Sequence, residues 1–264
     1  MDIDTLNAAL SLRHSGRTEE ALEAFRALFE KTEDFDEKAG IVLHEASCLT
    51  TLQRYEEAKE ALNRARRMSR LAWTGAYADQ QEALVCMWEG RYEDSLQIYD
   101  RLLSQHPKVA TDPELRDLYE SVQAERGIIL ATLNRTEDAL PLLAGALIYR
   151  VSDSKKGLIL YHLGQCFLSL NQPKDAKTAF EEVGRVCQDH YCILGSRYNL
   201  GIIYAQEGAL GKALQELEWC EANLGGDDAL RDYIYVWLAK VLTTAGRTAE
   251  ASRYRKLIKS PEIE

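Results

Sequence analysis

A short segment, with an acidic pair in four of its seven copies, recurs along the chain at nearly constant intervals. Self-similarity with a period of roughly 20 to 50 residues indicates a chain built from stacked structural units. The copies are GRTEEAL from Gly16, QRYEEAK from Gln53, GRYEDSL from Gly90, NRTEDAL from Asn134, GRTAEAS from Gly246 and, more weakly, NQPKDAK from Asn171 and GALGKAL from Gly208.

The sixth residue of every copy is small. These residues are separated by 37, 37, 44, 37, 37 and 38 positions, and they are Ala21, Ala58, Ser95, Ala139, Ala176, Ala213 and Ala251. Seven units of this length fill nearly the whole 264-residue chain as a single solenoid domain. We place the units at residues 2–38, 39–75, 76–112, 113–156, 157–193, 194–230 and 231–264.

Each unit is expected to hold two amphipathic helices around a short turn, because apolar residues recur at helical spacing on both sides of the residue that starts each segment. The acidic pair then lies in the first turn of the second helix, where each carboxylate stabilises the helix dipole by ~0.3–1 kcal/mol. Glycine or asparagine in a left-handed conformation commonly closes a helix. The expected closing residues are Gly16, Gly90, Asn134, Asn171, Gly208 and Gly246.

Two further positions recur in every unit. Twelve residues before the small residue of the second helix stands another small residue: Ala9, Ala46, Ala83, Gly127, Gly164, Gly201 or Ala239. Four residues after the small residue of the second helix stands a large residue: Phe25, Leu62, Tyr99, Leu143, Phe180 or Leu217, with Arg255 in the last unit. This pattern resembles the tetratricopeptide repeat (TPR), and Pro107 matches the proline that follows the second helix in that family.

The resemblance implies an all-α fold, a right-handed α-solenoid of antiparallel helix pairs. It also implies a concave face, lined by the first helices, that binds an extended peptide or a partner's helix. A second interpretation is that several aromatic residues on this face only fill space between units. The partner-binding residues that the resemblance implies are His44, Gln80, Gln81, Trp88, Glu125, Tyr161, His162, Gln165, Tyr198, Asn199, Tyr233, Trp237 and Lys240.

The interval of 44 residues contains seven extra positions, close to two helical turns. Thr111-Asp112-Pro113 supplies a helix cap followed by a proline at the first helical position. We therefore predict that the first helix of the fourth unit is longer than its neighbours, and that a bend lies at residues 104–112. Pro141 must either lie within the first turn of its helix or distort it.

No catalytic motif is present in the sequence, so we predict a protein without enzymatic activity, cofactor or metal. The pairs His44/Cys48 and His162/Cys166 each share a helix face, and a structural role is favoured over a catalytic dyad. Cys187, His190 and Cys192 lack the regular spacing of a zinc site, so packing is favoured there too.

Arginines cluster at Arg64, Arg66, Arg67 and Arg70. The interpretation we favour is local, because Glu60 and Arg64 form an i,i+4 pair on one helix. A nucleic-acid partner is not expected, since the net charge is −10 and no basic stripe runs along successive helices.

Membrane insertion is not expected either, because no apolar run approaches the roughly 20 residues needed to span a bilayer. Six scattered cysteines indicate reduced thiols in the cytoplasm. The sequence therefore predicts a cytoplasmic scaffold or adaptor that binds a protein or peptide. The alternative is an accessory or regulatory subunit of a multiprotein enzyme or a secretion or assembly complex.

Overall fold

The computed structural model describes residues 2–69, 71–148, 153–225 and 228–259. These residues contain fourteen α-helices and no β-strand, and none of the helices is long and apolar enough to cross a membrane. The helices are α1 (Ile3–His14), α2 (Thr18–Lys31), α3 (Phe35–Thr51), α4 (Tyr55–Met68), α5 (Ala72–Trp88), α6 (Tyr92–Gln105), α7 (Arg116–Thr132), α8 (Thr136–Ala146), α9 (Asp153–Ser169), α10 (Pro173–Val186), α11 (His190–Gln206), α12 (Leu210–Ala222), α13 (Asp228–Thr244) and α14 (Thr248–Leu257).

The chain divides within α7 into two compact units, unit 1 (residues 1–129) and unit 2 (residues 130–264). In each unit, helices that are consecutive in the sequence pack against each other. Odd-numbered helices, the first of each pair, also contact one another: α3 with α5 in unit 1, and α11 with α9 and α13 in unit 2. The predicted all-α class, with helices packed in adjacent pairs as in an α-solenoid, is confirmed.

The small residues of the repeat lie where helices approach most closely. All seven small residues of the second helices are fully buried. In α9, a Cβ on Gly164 would lie 2.4 Å from the ring of Phe180, and in α11 a Cβ on Gly201 would lie 2.7 Å from Leu217 Cγ. The large residue of each of these second helices therefore occupies the space that the glycine leaves free.

The six expected turn residues all adopt the left-handed conformation, with φ between 57° and 79°. Gln53 occupies the same place with φ of 59°. After each of the seven, the next backbone N–H donates to the carbonyl five residues earlier, as Arg91 does to Cys86 at 2.8 Å. This hydrogen bond closes the first helix of the pair.

Five turns carry an arginine directly after the left-handed residue. Each of these arginines forms an ion pair with the acidic residue three positions later, which in four of the five turns is the second residue of an acidic pair; Arg54, for example, contacts Glu57 at 2.6 Å. The other pairs are Arg17–Glu20, Arg91–Asp94, Arg135–Asp138 and Arg247–Glu250. The acidic residues thus stabilise the turn through these ion pairs, in addition to their favourable interaction with the dipole of the second helix.

The seven extra residues do not lengthen the first helix of the fourth pair, so that prediction is wrong. α7 has 17 residues, as α3 and α5 have. The insertion instead forms two 3₁₀ turns, Pro107–Ala110 and Pro113–Leu115, because each proline lacks the N–H that a continuous helix needs. Asp112 caps the second turn, accepting a hydrogen bond from the Glu114 N–H at 2.9 Å. The bend at residues 104–112 stays a prediction.

Pro141 is the sixth residue of α8, beyond the first turn. The proline removes one hydrogen bond from the middle of this helix, because it has no N–H to donate to the carbonyl four residues earlier. α8 has 11 residues, fewer than the 14 of α10.

Candidate functional site

In unit 2, the first helices α9, α11 and α13 form a cavity of about 360 Å³. Every lining residue belongs to one of these three helices, and none carries a formal charge at neutral pH. The lining consists of Tyr161, Gln165, Tyr191, Leu194, Gly195, Tyr198, Asn199, Leu230 and Tyr233. Five of the thirteen predicted binding residues therefore meet here: Tyr161, Gln165, Tyr198, Asn199 and Tyr233.

The inner wall of this cavity is held by hydrogen bonds between polar side chains. Gln165 Nε2 donates to the Tyr161 hydroxyl at 2.9 Å, and the ring of Tyr191 meets the ring of Tyr161 edge-on with centroids 5.9 Å apart. Burial raises the pKa of Tyr161, and burial also raises the pKa of Tyr198 to about 12. Both hydroxyls therefore stay neutral at physiological pH and serve as hydrogen-bonding groups.

Gly195 is required for the shape of the wall. A Cβ at this position would lie 2.7 Å from Tyr161 Cε2, so only glycine lets that ring cross α11 so closely. One turn later, Asn199 Nδ2 donates to the Gly195 carbonyl at 2.8 Å, which fixes the orientation of the asparagine amide.

Three other predicted residues of unit 2 lie beside the cavity lining. A hydrogen bond from Trp237 reaches the Tyr198 hydroxyl, and the ammonium of Lys240 lies 5.4 Å from the Trp237 ring centre. His162 stands edge-on to Tyr161 at 5.3 Å, and burial lowers its pKa to about 4. Trp237 and His162 thus support the tyrosines of the cavity.

Unit 1 has a cavity of about 260 Å³ on the corresponding face of α1, α3 and α5. His44, the one predicted residue in its lining, stacks on Phe25 with ring centroids 5.2 Å apart. Burial, and to a smaller extent the nearby Arg13, lowers the pKa of His44 to about 4. The full lining is Leu6, Asp36, Glu37, Gly40, Ile41, His44 and Trp73.

The two cavities occupy the same register of the repeat. Gly40 and Gly195 both stand six residues before the small residue of their first helix, Ala46 or Gly201. Likewise, His44 corresponds to Asn199 and Asp36 corresponds to Tyr191. The same backbone arrangement therefore presents an almost entirely apolar surface in unit 1 and a tyrosine-rich surface in unit 2.

The remaining predicted residues belong to unit 1 and have unequal exposure. Gln80 and Glu125 are 7% and 6% exposed, and Gln80 Nε2 donates to a Glu125 carboxylate oxygen at 3.1 Å. The buried hydroxyl of Tyr99 donates to the same carboxylate at 2.9 Å, which ties α6 to α7. Gln81 is half-buried, whereas Trp88 is 64% exposed at the end of α5.

The paired His and Cys residues have the properties of packed structural groups. Burial raises the pKa of Cys48 to about 11, and burial also raises the pKa of Cys166. Their thiols stay protonated near neutral pH, whereas a nucleophilic cysteine needs a lowered pKa. The geometry therefore supports the structural role that the sequence favoured for the two pairs.

The residues Cys187, His190 and Cys192 lie where α10 ends and α11 begins. Both cysteines are buried, and Asp189 caps α11 by accepting a hydrogen bond from the Cys192 N–H at 2.9 Å. Within the described residues, no three His, Cys, Asp or Glu side chains are placed to hold a metal ion.

The arginine cluster uses different partners from those the sequence favoured. Arg64 pairs with Glu45 on α3 rather than with Glu60 on its own helix. Arg66 contacts Asp79 at 2.7 Å and Glu82 at 2.6 Å, both on α5. Arg64 thus ties α4 to α3 within its own helix pair, and Arg66 ties α4 to α5 of the next pair. Arg70 lies outside the described residues.

Family comparison agrees with this architecture. Sequence models of the tetratricopeptide repeat match residues 6–76, which run from within α1 to the start of α5, and residues 159–186, which span most of α9 and α10. The chain contains tetratricopeptide repeats in both of these segments. No curated protein matches the sequence significantly.

Solved structures of similar fold accompany this TPR assignment. PilF of Pseudomonas aeruginosa superposes with a TM-score of 0.66 at 18% identity, covering 88% of this chain and 97% of that one. The apo form of RapI superposes with a TM-score of 0.67 at 14% identity, covering 96% of this chain and 74% of that one. YrrB, described as a TPR protein with an unusual peptide-binding site, superposes with a TM-score of 0.50 at 19% identity, covering 79% of this chain and 96% of that one. At these identities the likeness concerns the fold.

Sequence reasoning missed the cavity residues near the starts of first helices. Tyr191, Asp36 and Trp73 each stand ten positions before the small residue of their helix, whereas the predicted residues lie closer to it. The available signal was a bulky or charged residue at this same register position in three of the repeats. Leu194 and Leu230, also missed, resemble ordinary core residues in the sequence.

Proposed function

We propose that this TPR protein is a noncatalytic interaction scaffold that binds an extended peptide segment on the first-helix face of unit 2. The observation that carries the proposal is the cavity in which four tyrosines, Gln165 and Asn199 converge. Tyrosine and amide side chains offer flat apolar contact together with partners for the hydrogen-bonding groups of a peptide backbone.

The tyrosines of this cavity combine a fixed wall with an accessible rim. Tyr161 is buried and hydrogen-bonded, so a ligand need not order it on binding. Tyr191 and Tyr233 are 65% and 47% exposed, so a ligand can reach both rings. This arrangement suits an uncharged or apolar peptide segment.

Three features support a noncatalytic role in the cytoplasm. The tetratricopeptide-repeat match concerns a unit that generally mediates protein–protein contacts. Cys48 and Cys166 stay protonated, because burial raises the pKa of each thiol. All six cysteines are buried and free of disulfides, as suits a reducing compartment.

The test is selection of binders from a library of random linear peptides displayed on phage. Peptides that bind the wild-type chain should lose at least about tenfold in affinity to the variants Tyr191→Ala, Tyr233→Ala and Tyr198→Ala, because truncated aromatic anchors commonly cost ≥2 kcal/mol of binding. Fluorescence anisotropy of a labelled peptide gives the affinity, and circular dichroism checks that each variant is folded.

Two controls remove exposed side chains outside the cavity. Ile148→Ala deletes an apolar side chain that is 84% exposed, and Arg67→Ala deletes an exposed member of the arginine cluster. Both variants should bind as the wild type does at moderate salt. The proposal is wrong if Arg67→Ala abolishes binding while the three tyrosine variants keep it.

A further inference from the structure

The inner hydroxyl groups of the unit 2 cavity have protons left to donate to a ligand. The Tyr161 oxygen accepts a hydrogen bond from Gln165 Nε2 at 2.9 Å. The Tyr198 oxygen accepts one from the indole of Trp237, a group that only donates. Burial raises the pKa of both tyrosines, so both hydroxyls keep their protons near neutral pH. Each of these two lining residues therefore offers its own O–H to a ligand in the cavity.

Acceptor groups are scarcer than donor groups in the same lining. Four tyrosine hydroxyls can donate, whereas the side-chain oxygens that only accept are the amide oxygens of Gln165 and Asn199. The backbone carbonyl of Gly195 already accepts the Asn199 amide N–H at 2.8 Å. The cavity therefore favours a ligand that brings carbonyl oxygens and few N–H groups.

A proline-rich chain brings this combination of groups. Proline has no backbone N–H. In the polyproline II helix, which proline-rich chains adopt, the carbonyls form no hydrogen bonds within the chain. An α-helix, in contrast, pairs its carbonyls internally, and a β-strand without proline brings an N–H at every residue. The polyproline II conformation thus matches the donor-rich lining best.

The apolar part of the lining complements the side chain of proline. Leu194 and Leu230 provide aliphatic surface, and the exposed rings of Tyr191 and Tyr233 provide flat faces at the rim. Because no lining residue carries a formal charge, a charged ligand side chain would lose its hydration without gaining a counter-ion. The uncharged pyrrolidine ring avoids that cost, and aromatic-lined grooves are a recurring docking surface for proline-rich segments.

We propose that the peptide bound by the unit 2 cavity is a proline-rich segment of a partner protein in the polyproline II conformation. Its pyrrolidine rings pack on Tyr191 and Tyr233, and one of its backbone carbonyls accepts the Tyr198 O–H. The fixed φ of proline and the hydrogen-bonded inner tyrosines reduce the conformational entropy lost on binding. This inference rests on the proposed function, because it names the class of peptide that the same cavity binds.

The probe is a fluorescein-labelled octaproline peptide, titrated into the full chain and followed by fluorescence anisotropy. Octaproline should bind saturably. The matched peptide is a labelled octapeptide of alternating alanine and serine, which has the same length and no charged side chain but carries a backbone N–H at every residue. This second peptide should bind at least about tenfold more weakly, because N–H groups that lose water without gaining an acceptor are costly.

Tyr198→Phe should weaken octaproline binding about fivefold, the usual effect of removing one neutral hydrogen bond. The matched control is Tyr235→Phe, which removes a hydroxyl from α13 outside the cavity lining and should leave binding unchanged. A far-UV circular dichroism spectrum confirms that both variants keep their helices.

Equal binding of the two peptides, or equal affinities of the two phenylalanine variants for octaproline, would overturn the proline-rich assignment. The proposed function has separate outcomes in the phage selection. Proline-free peptides that lose affinity to Tyr191→Ala would support peptide binding by the cavity and contradict the proline-rich assignment. Selected peptides that keep their affinity for all three alanine variants would contradict the proposed function itself.

Discussion

At Gly164 of α9, a methyl group would lie 2.4 Å from the ring of Phe180, which is almost fully buried on α10. The ring cannot move away without displacing other core atoms, because interiors are close-packed. Gly184, also inside α10, has no atom within 4 Å of an added Cβ. Two glycines of one helical hairpin therefore have opposite tolerance for the same substitution.

Gly164→Ala should lower the free energy of unfolding by ~1–3 kcal/mol, the usual effect of overpacking a core. Gly184→Ala should raise it by roughly 0.5–1 kcal/mol, because alanine loses less conformational freedom in a helix. Urea denaturation monitored by circular dichroism gives both values. Equal behaviour of the two variants would show that the register of α9 against α10 is misassigned.

Residue spacing explains why the packing positions, but not the whole binding surface, could be predicted from the sequence. A small residue at a helix crossing has few substitutes, so Ala176 and its equivalents recur visibly in all seven repeats. Cavity residues such as Asp36 and Tyr191 differ in chemistry although they share a register position. Ion pairs such as Arg64–Glu45 join residues far apart in sequence, which spacing within one helix cannot reveal.

At the scale of elements, the same turn joins the two helices of every pair. Its left-handed residue is glycine at four turns, asparagine at two and glutamine at Gln53. An L-residue other than glycine has a steric cost in this conformation, and asparagine reduces that cost by local hydrogen bonding. Gln53 is therefore the least suitable residue among the seven.

Gln53→Gly should raise the free energy of unfolding by about 1 kcal/mol, because glycine adopts the left-handed conformation without a steric penalty. Gly90→Ala, at the equivalent position of the next turn with φ of 77°, should lower it by a similar amount. Chemical denaturation of both variants provides the measurement. A destabilised Gln53→Gly variant would indicate that the glutamine side chain makes a contact that outweighs the backbone strain.

The 3₁₀ insertion shows where element prediction from sequence reaches its limit. Seven extra residues fit two turns of helix by length, but Pro107 and Pro113 divide the segment into short turns. Burial of Val109 anchors the first of these turns to the core of unit 1. Tertiary contact of this kind has no periodic signature in the sequence.

At the scale of the whole molecule, stability should depend on two half-buried imidazoles, His44 in unit 1 and His162 in unit 2. Burial lowers the pKa of each to about 4, below the value of about 6.5 expected in the unfolded chain. Between these values the unfolded state binds more protons. This contribution to stability is therefore complete above about pH 6.5 and is lost as the pH falls towards 4.

The double variant His44→Phe/His162→Phe should lose less stability than the wild type between about pH 6.5 and 4, because it lacks both titrating rings. Urea midpoints measured across this range separate the imidazole contribution from that of the carboxylates, which both proteins share. Parallel pH profiles for the two proteins would contradict the expectation.

The turns also bear on how such a chain folds. Each turn is closed by a hydrogen bond between residues five apart and, at five of the seven, by an ion pair between residues three apart. Helices then pack on their neighbours in sequence. Loop-closure entropy is small for such contacts, and low contact order favours fast folding. Folding can thus nucleate among neighbouring hairpins and propagate from one hairpin to the next along the chain.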